Sequence, residues 1–330
     1  MRTMGILFVV LAGCFTAATS TSADKATEGG TEEQEVFPLQ PGGKDIKPVA
    51  FDGKRAMKYL EAICDIGPRQ SGTEGMRKQI ALITKHFEDL GVKVQVQTFS
   101  AKQLSRANEV EMKNLVIKFW PERERRVILC SHYDTRPIAD QEPDPRKWRE
   151  RFVSANDGGS GVALLMELGN HMKGLKTNVG VDFVLFDGEE FVFNKTDEYF
   201  FGSKQFAQEY RKQVRDKGKV RYGGAILLDM VGGKGARFPI EVNSWYKAKE
   251  LVKQVWGIAD EQQVKMFENK TKHDVLDDHI ALLSGGIPAI DIIDFDYEHW
   301  HRLSDVPANC SAESLTDVSK VLSVWLQRVQ

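Results

Sequence analysis

One stretch limits the fold of this chain more than any other: Val184-Leu185-Phe186-Asp187-Gly188-Glu189-Glu190. It reads as a buried apolar strand that stops at a glycine and then presents two neighbouring carboxylates. In an open α/β sheet ligands bind at the carboxyl ends of the strands, so an acid pair there sits where chemistry would be done. Adjacent acids alone more often mark a solvated loop, because Glu is seldom buried. Here the pattern recurs. Residues 126–131 form a second apolar run that ends in His132-Tyr133-Asp134, and 225–228 form a third that ends at Asp229.

Segments of helical period separate these runs. Residues 56–66, a long stretch up to Leu90 closed by Gly91, then 162–172, 204–214, 247–258 and 315–329 carry apolar residues at helical spacing. Further strands are expected at 92–99, 114–120, 238–242 and 287–293, and a short helix between Asp277 and Gly285. Strands alternating with helices of this length predict an α/β fold. Its central sheet is mostly parallel (mixed), with helices on both faces and the early strands forming an antiparallel edge.

The first residues carry a different signal. Met1-Arg2 is a positive start, residues 5–12 are apolar and 16–23 are small and polar, which together make a secretory signal peptide over 1–22. The apolar run is too short for a permanent bilayer span. Leu11-Ala12-Gly13-Cys14 resembles the lipobox of bacterial lipoproteins, with Cys14 as the lipidated residue; the alternative is cleavage after Ala18 or Ala23. The protein is therefore expected to be exported, either periplasmic or a membrane-tethered lipoprotein, otherwise secreted, and to meet a membrane only through that lipid anchor. Residues 23–50 are rich in Gly, Glu, Thr and Lys and read as a disordered linker. Residues 51–330 are long enough for a single α/β domain with a sizeable core. A net charge of -2 over 330 residues gives no basic footprint for nucleic acid. Cys64, Cys130 and Cys310 are scattered, without a Cys-x-x-Cys pair, and are expected as small buried hydrophobes.

Collected from strand ends and loop junctions, the polar residues are His132, Asp134, Asp157, Glu189, Glu190, Asp229 and His301. Such groups are costly to bury unless they are paired or bound to a cation. Imidazole and carboxylate together suit Zn²⁺, whereas an all-oxygen set would point to Mg²⁺ or Ca²⁺.

His132-Tyr133-Asp134, Asp157-Gly158-Gly159-Ser160-Gly161, Phe186-Asp187-Gly188-Glu189-Glu190, Leu228-Asp229 and His301 resemble, in order, the motifs of the zinc aminopeptidase superfamily with co-catalytic metals. Asp277-Asp278-His279-Ile280 and Trp300-His301 resemble its cyclase branch, the glutaminyl-peptide cyclotransferases. The resemblance implies a zinc-aminopeptidase (phosphorylase/hydrolase-like) fold and an enzyme that acts on a peptide or protein N-terminus, turning terminal glutamine into pyroglutamate with release of ammonia. It implies Asp157, Glu190 and His301 as zinc ligands and Glu189 as proton shuttle. Asp229 and Asp277 become a hydrogen-bonded carboxylate pair, and Trp300 lines the pocket. In the peptidase branch His132 and Asp229 bind a second metal, Asp157 bridges both ions and Asp134 orients His132. One zinc is expected for a cyclase and two for an aminopeptidase.

Two positions depart from the animal-type cyclase pattern: Lys195 stands where a second pocket tryptophan is expected, and Leu276 where a glutamine precedes the Asp-Asp-His. The alternative is a di-zinc aminopeptidase or related exopeptidase. A third reading, a binding module that has lost the metal, conflicts with the retention of Asp157, Glu189, Glu190, Asp229 and His301.

Overall fold

The structure, a computed structural model, describes residues 35–40 and 45–330. The expected signal peptide, Cys14 and residues 23–34 of the expected linker lie outside the described residues.

The first two helices are α1 (Gly53–Asp65) and α2 (Glu74–Asp89), capped by Asp52 and Thr73, whose side chains accept from Arg55 N–H and Met76 N–H. There follow β1 (Val94–Ala101), β2 (Val110–Phe119), β3 (Arg125–His132), α3 (Gly161–Gly169), β4 (Gly180–Phe186), α4 (Phe201–Arg215) and β5 (Arg221–Asp229). The last part holds β6 (Phe238–Ile240), α5 (Val242–Lys247), α6 (Lys249–Glu261), β7 (Phe267–Thr271), α7 (Asp278–Ser284), β8 (Ala289–Ile293) and α8 (Ala312–Arg328).

Six strands form one sheet in the order β1-β2-β4-β3-β5-β8. β4, β3, β5 and β8 run parallel, while β1 and β2 make the antiparallel edge. This is the mixed sheet expected from the sequence. Every residue of β4 is buried, as a strand covered on both faces requires. On one face Leu129, Phe183 and Ile226 pack with Leu60, Phe87, Leu165 and Trp325; on the other Ile128, Cys130 and Val184 pack with Phe206, Tyr210 and Leu282. α1, α2, α3 and α8 thus cover one face, and α4 and α7 the other.

Two features differ from the sequence expectation. β7 pairs with β6 in a separate two-stranded parallel ribbon, and its sequence, Phe-Glu-Asn-Lys-Thr, buries only Phe267. A strand so polar leaves no apolar run to detect. Second, residues 35–40, inside the stretch expected as a linker, dock on the domain. Phe37 is buried, its N–H donates to Gly223 O at 2.9 Å, and Leu39 bridges antiparallel to Val329. A Cβ at Gly223 would lie 2.0 Å from the Phe37 ring, so the glycine leaves the slot that the aromatic fills.

Cys64, Cys130 and Cys310 are buried and unbridged. Among the described residues no helix is long and apolar enough to cross a membrane.

Candidate active site

A cavity of about 810 Å³ opens at the carboxyl ends of the parallel strands. β3 delivers His132 as its last residue and β5 delivers Asp229. β4 is followed by Gly188 at φ +74°, which turns the chain so that Glu189 and Glu190 face the cavity. Asp157 stands just before α3, where Gly158 (φ +72°) presses so closely on β3 that a Cβ would lie 2.7 Å from Asp134 O and 2.8 Å from His132 Cε1. His301 comes from the segment after β8, with its backbone at φ +52°.

The fold gathers the candidate ligands. His301 Nε2 lies 2.6 Å from Glu190 Oε1 and 3.6 Å from Asp157 Oδ2. On the other side His132 Nε2 lies 3.1 Å from Asp157 Oδ1 and 3.2 Å from Asp229 Oδ1. Asp157 thus stands between the two imidazoles, with one oxygen towards each. Donor atoms of His132, Asp157 and Glu190 also fall within 4.8 Å of one another.

Asp157 Oδ2 and Glu190 Oε2 are buried and accept no hydrogen bond. Orphaned buried carboxylate oxygens are expensive, and a cation is the partner that would relieve two at once. Two carboxylates and an imidazole on one cavity wall are a zinc donor set with room for a further ligand.

The charges in the cavity shape one another. Burial pushes the Glu189 carboxyl well above the ordinary range, and Glu190 and Asp277 add to this against the pull of His132. Burial likewise raises Asp157, helped by Glu190. Burial would raise Glu190 too, but His301 and Arg136 outweigh it and hold that carboxyl at about 2. Asp277 is raised by burial and by the nearby Asp229 charge. One acid is therefore held low beside another whose proton affinity is raised, the pairing from which acid–base roles arise.

Several expected partnerships are rearranged. Asp134 stands 3.6 Å from His132 Nδ1, too far for a hydrogen bond. Its two oxygens instead accept the Glu189 and Glu190 amides, each at 3.1 Å. No hydrogen bond joins Asp229 to Asp277 among the described residues: Asp229 Oδ1 faces His132, and Asp277 Oδ1 accepts Asp278 N–H at 2.6 Å as the cap of α7. His279 is buried 3.2 Å from Glu241 Oε2, behind the cavity rather than in it. Trp300 lines the cavity, its ring centroid 5.3 Å from that of Phe295 and 4.0 Å from that of His301. Lys195 and Leu276 both line the mouth, and Phe193, Tyr199 and Phe200 supply aromatic wall where the expected tryptophan is missing.

Sequence reasoning missed Arg136, Asp140 and Asp305. Asp140 Oδ1 lies 2.8 Å from His301 Nδ1, and Arg136 bridges Asp140 Oδ2 (2.9 Å), Glu190 Oε1 (3.5 Å) and the Tyr199 hydroxyl (3.2 Å). Nothing local marks them, since their role is set by what the fold brings against them.

A mixed α/β sheet with imidazoles and acids at successive strand ends defines a metallo-exopeptidase architecture, and the chain belongs to peptidase family M28, whose model matches residues 114–326. Within that architecture it is similar to the crystal structure of the glutaminyl cyclase of Fimbriiglobus ruber, with 49% identity and a TM-score of 0.84 over 87% of this chain and 99% of that one. It is also similar to a Zn-dependent exopeptidase from Parabacteroides distasonis (31% identity, TM-score 0.77, 84% and 99% covered). The glutaminyl-peptide cyclotransferase of Gloydius blomhoffii is 24% identical over 242 residues, and the match spans 64% of this chain and 64% of that protein's length. The likeness to cyclases read from the motifs is thus borne out across most of the chain.

Proposed function

We propose that the protein is a zinc-dependent glutaminyl-peptide cyclotransferase, which converts the N-terminal glutamine of a peptide or protein to pyroglutamate and releases ammonia. The observation that carries this reading is Glu189, a buried carboxyl whose proton affinity is raised and which shares one cavity with the donor set, Asp277 and Trp300.

Asp157, Glu190 and His301 would hold the ion. When bound, zinc polarises the γ-carboxamide carbonyl and offsets the negative charge that develops on its oxygen. Glu189 then takes a proton from the substrate α-amine as its nitrogen attacks the γ-carbon. The new C–N bond closes the ring, and Glu189 returns the proton to the nitrogen that departs as ammonia. No water is consumed, so the balance needs no further reactant. A carboxyl with raised proton affinity suits both halves of this transfer. Asp229 and Asp277 offer acceptors to the hydrogens of the amine and the departing amide, and the Trp300 ring packs against the methylene chain. Residues 51–330 form the catalytic domain behind an N-terminal export signal; cleavage before Cys14 puts a lipid on that residue as the attachment to a membrane, whereas cleavage after Ala18 or Ala23 leaves the enzyme free.

One observation favours a second reading. His132 Nε2 lies at nearly equal distance from Asp157 and Asp229, which is the donor set for a second ion in a di-zinc aminopeptidase. Metal analysis with paired assays on an N-terminal glutamine peptide and an aminoacyl anilide separates the two. About one zinc with ammonia release is expected; about two with free amino acid would replace the cyclase by the peptidase.

A further inference from the structure

We propose that Asp305 is a positioning residue for the metal site, clamping the turn that carries Asp157 to the segment that carries His301. The inference rests on the reading of Asp157, Glu190 and His301 as ligands.

Asp305 is fully buried, four residues after His301. Its Oδ1 accepts the Asn156 N–H at 2.8 Å and the Tyr297 hydroxyl at 2.9 Å, and its Oδ2 accepts the Asp157 N–H at 3.2 Å. Its backbone oxygen accepts the Ala155 N–H at 3.2 Å. One residue thus holds three successive amides of the Asp157 turn. That turn needs holding: Ser154 (φ +47°) and Gly158 (φ +72°) are both left-handed, and Asp157 itself (φ −83°, ψ 107°) is non-helical inside the π-turn Asn156–Ser160.

The same device occurs on the other side of the cavity. Asp134, two residues after His132, accepts the Glu189 and Glu190 amides. In both places an acid that follows an imidazole clamps the main chain beneath the acidic ligand. The aim of the Asp157 carboxylate therefore depends on Asp305 although the two side chains share no hydrogen bond. Only a carboxylate serves, because both oxygens receive N–H donors. In Asp305→Asn one of the two positions becomes an amide NH₂ that confronts a backbone N–H.

The test is zinc affinity, measured by competition with a chromophoric chelator on the full-length protein, alongside thermal unfolding of each variant. Asp305→Asn is expected to weaken zinc binding roughly 10–100-fold, the range for removal of a ligand's supporting contact. Tyr297→Phe should move it in the same direction by less. Glu167→Gln, which disturbs the 2.6 Å pairing of buried Glu167 with half-exposed Arg55 away from the cavity, should lower stability and leave zinc affinity at the wild-type value. Should Asp305→Asn fail to fold, Tyr297→Phe decides. Wild-type zinc affinity in the folded variants, with tight zinc in the wild type, overturns this inference alone. A wild type that binds no zinc overturns the ligand reading and this inference together.

Discussion

Strands β3, β4 and β5 carry a buried charged cluster at each end, and the two clusters are resolved in opposite ways. At their starts Arg126 and Asp182 are 1% and 0% exposed. Arg126 Nε and Nη2 donate to Asp182 Oδ1 at 3.0 and 2.5 Å, and its remaining hydrogens reach the carbonyls of Phe119, Trp120 and Arg123. Asp182 Oδ2 accepts the Tyr222 hydroxyl at 2.5 Å. At the other ends Asp157, Glu189, Glu190, Asp229 and Asp277 crowd around His132, His301 and Arg136, and two carboxylate oxygens have no partner. The first cluster is complete and specifies how the strands pack. The second is short of positive charge, the deficit that the proposed zinc and the proposed proton transfer at Glu189 would draw on.

The largest expected effect sharpens the second half of this contrast. Glu189→Gln should cut turnover by roughly 10²–10⁴-fold while zinc content stays at the wild-type level, read by ammonia release and metal analysis. Near-normal turnover would remove the proton shuttle. A smaller effect tests the closed end. Asp182→Ala strands the Arg126 charge and should cost about 3–5 kcal/mol in urea unfolding, with turnover per folded molecule unchanged. A variant that lost activity and kept its stability would dissolve the distinction between the two ends.

The smallest effect is a pH trend of the metal-free protein. Asp305 is pushed up to about 7 by burial and by Asp157. Burial pulls His301 down, but Glu190, Asp140 and Asp157 outweigh it and hold the imidazole at about 9. Both values lie above those of the unfolded chain, so each group contributes stability that is fully present below its unfolded pKa and lost as pH rises through its folded one. The Glu190 carboxyl, held at about 2, works the other way, but its contribution is lost only below the ordinary Glu range. With chelator present, the urea midpoint should therefore fall between about pH 5.5 and pH 8.5, by an amount that corresponds to on the order of 1–3 kcal/mol of unfolding free energy, and added zinc should flatten the trend. A midpoint that climbs over this interval would mean that the open cluster is already balanced by its own residues.

How far the sequence reveals all this depends on whether a residue acts through its neighbours in the chain. The Val184–Phe186 run and the Glu pair after it are legible because an unbroken apolar run stops at a glycine and two acids within a few residues. The same holds for the turn at Gly158 and for the helices of clear period. β7 is not legible, since one Phe in five residues makes no pattern, and neither is Phe37, part of a four-residue apolar run too short to mark an element, which docks only because Gly223 leaves a slot. Asp134 is visible as an acid beside His132, yet the backbone amides it binds lie far along the chain. Arg136, Asp140 and Asp305 are ordinary charged residues until folding brings a ligand or its main chain against them.

The docked segment of residues 35–40 lies at the end of the sheet remote from the cavity. Phe37 rests on Gly223 and stacks beneath Arg125, its centroid 3.9 Å from the guanidinium carbon, and Leu39 pairs with Val329. Gly223 and Arg125 belong to the beginnings of β5 and β3, whereas the cavity lies beyond their far ends. The segment therefore docks at the rear of the sheet, and none of its residues lines the mouth of the cavity.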